Sequence, residues 1–139
     1  MTVAVATTYV FRRSHDWILQ FLEVLTEEQL HWVEGLGVPS IAFHAWHTAR
    51  WADLLQSCLP GMTAAPEKQP EAQPQIWERD SLAPAWGLPS KLLGSDSTGM
   101  GMDDEIAAGL SLPSKDELLR YVREAFAGAV EAGAGAEDD

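Results

Sequence analysis

The placement of proline constrains this chain most. Of its eight prolines, seven (Pro60, Pro66, Pro70, Pro74, Pro84, Pro89 and Pro113) fall between residues 60 and 113. A proline inside a helix removes a backbone donor and clashes with the preceding turn. Long helices are therefore confined to the stretches on either side, and three patterns occupy them. From about Thr7 to Leu25 the apolar residues Val10, Phe11, Trp17, Ile18, Phe21, Leu22 and Leu25 recur at spacings of three and four, with Arg13, Asp16, Gln20 and Glu23 opposite, which is the mark of an amphipathic helix. Thr26 with Gln29 has the form of a capping box and starts a short turn, Glu27 to Val33, that Gly35 and Gly37 end. Pro39 suits a first helical turn, and a long helix is expected from there to Cys58, closed by Leu59-Pro60-Gly61.

The proline-rich connection, residues 60–113, is long for a compact domain. Trp77, Trp86, Leu88, Leu92 and Leu93 indicate that its middle packs on something. Asp103 or Asp104, with Glu105, reads as the start of a short helix through Ile106 to Leu110 rather than as a carboxylate metal site. Ser114 and Glu117 repeat the capping spacing ahead of Leu118, Leu119, Val122, Phe126 and Val130, the third long helix. A flexible acidic tail, residues 133–139, is expected to follow. No strand pattern and no internal repeat emerges. The expected fold is all-α, a single domain over residues 1–139.

A formal charge of -12 repels phosphate backbones and anionic lipid, so neither nucleic acid nor membrane is an expected partner. Charged and polar residues interrupt every apolar run before the ~20 residues a bilayer span needs. Cys58 is the only cysteine, so no intramolecular disulfide forms, and the start Met-Thr-Val-Ala-Val-Ala does not read as a signal peptide, which makes the cytoplasm the default location.

Winding residues 40–58 at ~100° per residue puts Arg50, Asp53, Gln56 and Ser57 on one arc, the natural solvent side. His44, His47 and Thr48 fall opposite, interleaved with Ser40, Trp51, Leu55 and Cys58 where the core is expected. Two inward imidazoles need partners, because an unpaired buried polar group costs about 1–3 kcal/mol. One reading is a metal site of His47 and His44, with His15 of the first helix as a further ligand, holding zinc, nickel or iron. The other is a pair of core histidines bonded to carbonyls or neighbouring aromatics. Thr48, Trp51 and Cys58 would line an adjacent pocket with residues near Trp77 and Trp86. Cys58 reads as a small buried hydrophobe rather than a nucleophile, and His31 as a surface or capping residue.

The segment LTEEQLHWVEGLGVPSIAFHAWHTARWAD (residues 25–53), with IWERDSLAPAWGL and STGMGMDDEIAAGLSLPSKDELLRYV further on, resembles the DinB-like superfamily over most of the chain. That resemblance implies an up-down four-helix bundle, commonly dimeric. It also implies a divalent metal held by one histidine of the second long helix, matched here by His47, and two from a later H-x-x-x-H. His44 matches no ligand position of the family. No H-x-x-x-H occurs in this sequence, so the fourth helix is expected to be missing or supplied by a partner. The activities implied are those of metal-dependent transferases using a low-molecular-weight thiol, or of hydrolases. The alternative is a non-catalytic helical module, a homodimer with a vestigial metal site.

Overall fold

A computed structural model describes residues 2–63, 67 and 73–135. Among them every regular element is helical: α1 (Val3–Val24), α2 (Glu27–His31), α3 (Ile41–Thr63), α4 (Ile76–Arg79), α5 (Leu82–Ala85), a 3-10 turn (Ser90–Leu92), α6 (Asp104–Ala108) and α7 (Lys115–Ala134). None of the helices is long and apolar enough to cross a membrane among the described residues.

The helix starts follow the capping chemistry of the sequence. Thr26 accepts from the Gln29 amide while the Gln29 side chain accepts from the Thr26 amide, a complete capping box. Asp103 accepts from the amides of Glu105 and Ile106, and Ser114 from that of Glu117. At α3 the cap is Ser40, whose hydroxyl accepts from the Phe43 amide, so Pro39 precedes the helix instead of opening it. α1 begins four residues before the expected Thr7, with Thr2 accepting from Val5. α3 runs through Pro60 to Thr63, beyond the stop expected at Leu59-Pro60-Gly61. Pro60 stands in the last turn of the helix, where the lost amide bond and the clash with the preceding turn disturb less than they would in its middle. α7 likewise extends past Val130 to Ala134 and is capped at Gly135. The remaining acidic tail, residues 136–139, lies outside the described residues, as do residues 64–66 and 68–72 of the connection.

α7 packs along both α3 and α1. The α3–α7 seam is made of small residues, Ala42, Ala45, Ala49 and Ala52 on α3 against Ala125 and Ala129 with Leu118, Val122 and Phe126 on α7, all buried. Alanines at spacings of three and four let two helices approach closely. At Gly128 an added methyl would stand 2.5 Å from the Gln56 side-chain oxygen.

This seam corrects the orientation of α3. Its buried arc carries Ala45, Trp46, Ala49, Arg50 and Asp53, whereas His44, Trp51 and Cys58 are exposed and His47 and Thr48 half-buried. Arg50 and Asp53, expected in solvent, are 1% and 0% exposed. Cys58, expected to be a buried hydrophobe, is exposed. α1 also differs from a simple amphipathic helix. Leu22 is buried and Phe11 and Ile18 pack against the core, but Val10, Trp17 and Phe21, which sequence periodicity assigned to that same arc, are exposed.

Candidate functional site

Among the described residues the most heavily bonded polar cluster lies in the core, where α3 and α7 meet the connection. Asp53 Oδ1 accepts from the Ile76 amide and the Gln56 side chain, each at 2.8 Å. Its Oδ2 accepts from the Trp77 amide at 2.9 Å, the Tyr121 hydroxyl at 2.9 Å and Arg50 Nη1 at 3.1 Å. The two amides belong to the start of α4, so this carboxylate from another helix supplies the cap that Gln75 does not.

Arg50 complements it. Nε donates to the Ser97 carbonyl, Nη1 to Asp53 and to the Tyr121 hydroxyl, and Nη2 to the Gln75 side chain and the Asp96 carbonyl. A guanidinium has five N–H donors, and these five bonds use all of them. The group also lies over the Trp77 ring, 5.0 Å from its centroid. Burial pushes the Tyr121 hydroxyl well above its ordinary pKa of 10, so it stays protonated as the bond to Asp53 requires. With all five of its donors taken, Arg50 has no free N–H for a ligand, and the cluster is a structural clasp that ties the connection to α3.

The clasp also shapes the turn that meets His47. Asp96 and Ser97 adopt left-handed backbone at φ 51° and 53°, which side chains rarely occupy unless their surroundings hold them there. Here both carbonyls are held by Arg50. The turn continues through Thr98 to Gly99, whose φ is +90° and where an added Cβ would stand 2.9 Å from both His47 Nδ1 and the Trp46 ring. Only glycine lets the backbone settle so closely on these rings.

His47 Nδ1 bonds the Thr98 carbonyl. A carbonyl only accepts, so Nδ1 carries a proton, and in the neutral ring this leaves the lone pair on Nε2. The ring is further fixed by Phe43, stacked at 5.9 Å, and by the edge of Trp51 at 6.5 Å. His44, exposed, has its ring against Phe43.

His15 is elsewhere, between α1 and α7, stacked on Phe126. His31 pairs with Glu27 on α2. Trp77 packs on Trp46, Trp86 and Tyr121, whereas Trp51 meets the edge of His47. Among the described residues no three side chains of His, Cys, Asp or Glu gather as a cation site. His47 is an oriented donor, and the described residues do not by themselves fit a bound divalent metal.

Arg50 and Asp53 were the residues that sequence reasoning missed. Their signal was the alanine spacing 42, 45, 49 and 52, which marks the close-packed side of α3 and places both on its border.

A helical bundle with a long, clasped connection after its second long helix is the class of structure defined here. A family model described as the DinB superfamily matches residues 11–139, and the chain belongs to that superfamily. No curated protein matches it.

Proposed function

We propose that the chain acts as a helical interaction module that self-associates through the outward face of α1. The observation that carries this reading is a second apolar stripe on that helix. Val3, Val10, Trp17 and Val24 stand at seven-residue intervals and are 80%, 62%, 61% and 77% exposed, with Phe21 beside them. A heptad repeat keeps apolar side chains on one seam along a helix, and a contiguous apolar stripe on a monomer marks an interaction surface. The stripe complements itself. In an antiparallel pair centred between Arg13 and Ser14, Val3 of one copy faces Val24 of the other, Val10 faces Trp17, and small Ala6 faces large Phe21. Such pairing is isologous and closes at a dimer.

The solution mass of the chain tests this, compared with that of Trp17→Glu and Val10→Glu. A wild-type dimer that both substitutions convert to a folded monomer is expected. A monomeric wild type, or a dimer that neither substitution weakens, rejects the reading.

One observation favours a second reading, the metal-dependent thiol transfer or hydrolysis implied by the family resemblance. The Thr98 carbonyl fixes the His47 tautomer, as outer partners of metal-bound imidazoles do. Zinc, nickel or iron would supply Lewis-acid chemistry there, but the further ligands would have to come from outside the described residues. Metal content in the wild type and in His47→Ala distinguishes the two readings: near-stoichiometric metal lost in the variant supports this one, and metal-free protein excludes it.

A further inference from the structure

We infer that His15 is a proton-sensitive latch that holds α1 against α7 while its ring is neutral and loosens that contact when the ring is protonated. The ring is 7% exposed. It lies between two phenyl groups, parallel to Phe126 at 3.8 Å with 8° between the planes, and edge-on to Phe11 at 4.0 Å. Its Nδ1 is buried with no hydrogen-bond partner.

A groove of about 620 Å³ runs beside it between the two helices, floored by Leu19, Phe126, Ala127 and Val130. The charged groups along this groove are Arg12 and Asp16 on the helix of His15 and Glu131 on α7. Asp16 favours a charged ring and burial opposes it. Burial is the larger effect and lowers the pKa below the ordinary 6.5.

A neutral imidazole fits this place as an aromatic slab. An imidazolium does not, because it presents two N–H donors and a full charge in a slot whose walls are phenyl faces and whose one buried nitrogen has nothing to bond. Attraction to the Phe126 face recovers only part of the lost hydration. The remedy available is local: α1 moves off α7, the groove admits water, and both nitrogens are solvated. Phe126 is shared with the α3–α7 seam, whose other residues, Ala42, Ala45, Ala49 and Ala52 on α3 and Leu118, Val122, Ala125 and Ala129 on α7, are buried and keep their packing. The inference concerns the inner side of α1 and is independent of self-association through its outer side.

Amide exchange on the whole chain, corrected for intrinsic rates and compared between about pH 8 and about pH 5, the range in which imidazole changes charge, tests the latch. The expected result is a selective loss of protection along α1 on acidification, with α3 retained, and its disappearance in His15→Phe. An NMR titration of His15 in the wild type gives a reading that does not depend on the variant folding, with a midpoint below 6.5 expected. Equal loss in wild type and variant, simultaneous loss in all helices, no loss at all, or a His15 midpoint at or above 6.5 would each overturn the inference.

Discussion

Replacing Asp53 with asparagine keeps the shape of the side chain and removes one acceptor and the charge. Ile76 and Gln56 donate to one oxygen, and Trp77, Tyr121 and Arg50 to the other. If the new amide nitrogen replaces Oδ1, Gln56 can turn over, but the Ile76 amide then faces a donor. If it replaces Oδ2, the Trp77 amide and Arg50 both do. At least one buried backbone N–H is thus left unpaired, costing about 1–3 kcal/mol. The guanidinium of Arg50 also stays buried without its countercharge, and breaking such a pair costs about 3–5 kcal/mol. The two losses overlap, so the expected destabilisation is about 4 kcal/mol, a large share of the ~5–15 kcal/mol that holds a domain folded. With a urea slope of roughly 2 kcal/mol per M, the unfolding midpoint should fall by about 2 M. Equilibrium urea titration followed by tryptophan fluorescence measures it. A loss below about 1 kcal/mol, the worth of a surface pair, would refute the account of Asp53 as a desolvated, fully bonded anchor.

Gly99→Ala should destabilise by about 1–3 kcal/mol through strain at positive φ and should free the His47 ring from Thr98, visible as a changed His47 imidazole spectrum. Thr26→Ala, which removes the first half of the α2 capping box, should cost about 1 kcal/mol in thermal or urea unfolding. For His15 the sign of the pH dependence follows from its lowered pKa. Just below pH 6.5 the unfolded chain binds the proton more readily than the folded one, so stability rises with pH across that interval. His15's contribution is full above 6.5, declines as pH falls toward the folded pKa, and levels off beneath it. Urea midpoints measured across this range should show the slope in wild type and lack it in His15→Phe.

Capping residues and apolar spacing made the helices legible, because both act within a few residues. Thr26, Asp103 and Ser114 each cap the helix their spacing announced. The facing of α3 was not legible by the same means. Arg50 and Asp53 belong in solvent by residue type, and what admits them to the core are the amides of Ile76 and Trp77, the carbonyls of Asp96 and Ser97 and the hydroxyl of Tyr121. Those partners sit in a segment with no period of its own. Trp51 and His44 exceed the alanines in bulk, yet it is the alanine side of α3 that is buried. On α1 an apolar arc broad enough to contain both Leu22 and Trp17 concealed two separate stripes, since the number of faces a helix must bury depends on neighbours that periodicity does not count. The carbonyl of Thr98 that bonds His47 lies 51 residues away, a contact that no local spacing announces.

The arrangement of the clasp has a kinetic side. Arg50 and Asp53 are one turn apart on α3 and meet as soon as that helix forms, yet their other long-range partners lie 23 to 71 residues away. Until α7 docks and the connection folds back, water solvates both charges, and their bonding adds nothing to the early contacts on which refolding depends. Interactions of this kind, absent at the barrier and present in the native state, act on the rate of escape. A chain deprived of one clasp partner should therefore refold at nearly the wild-type rate and come apart much faster, so that the buried ion pair determines mainly how long the folded molecule lasts.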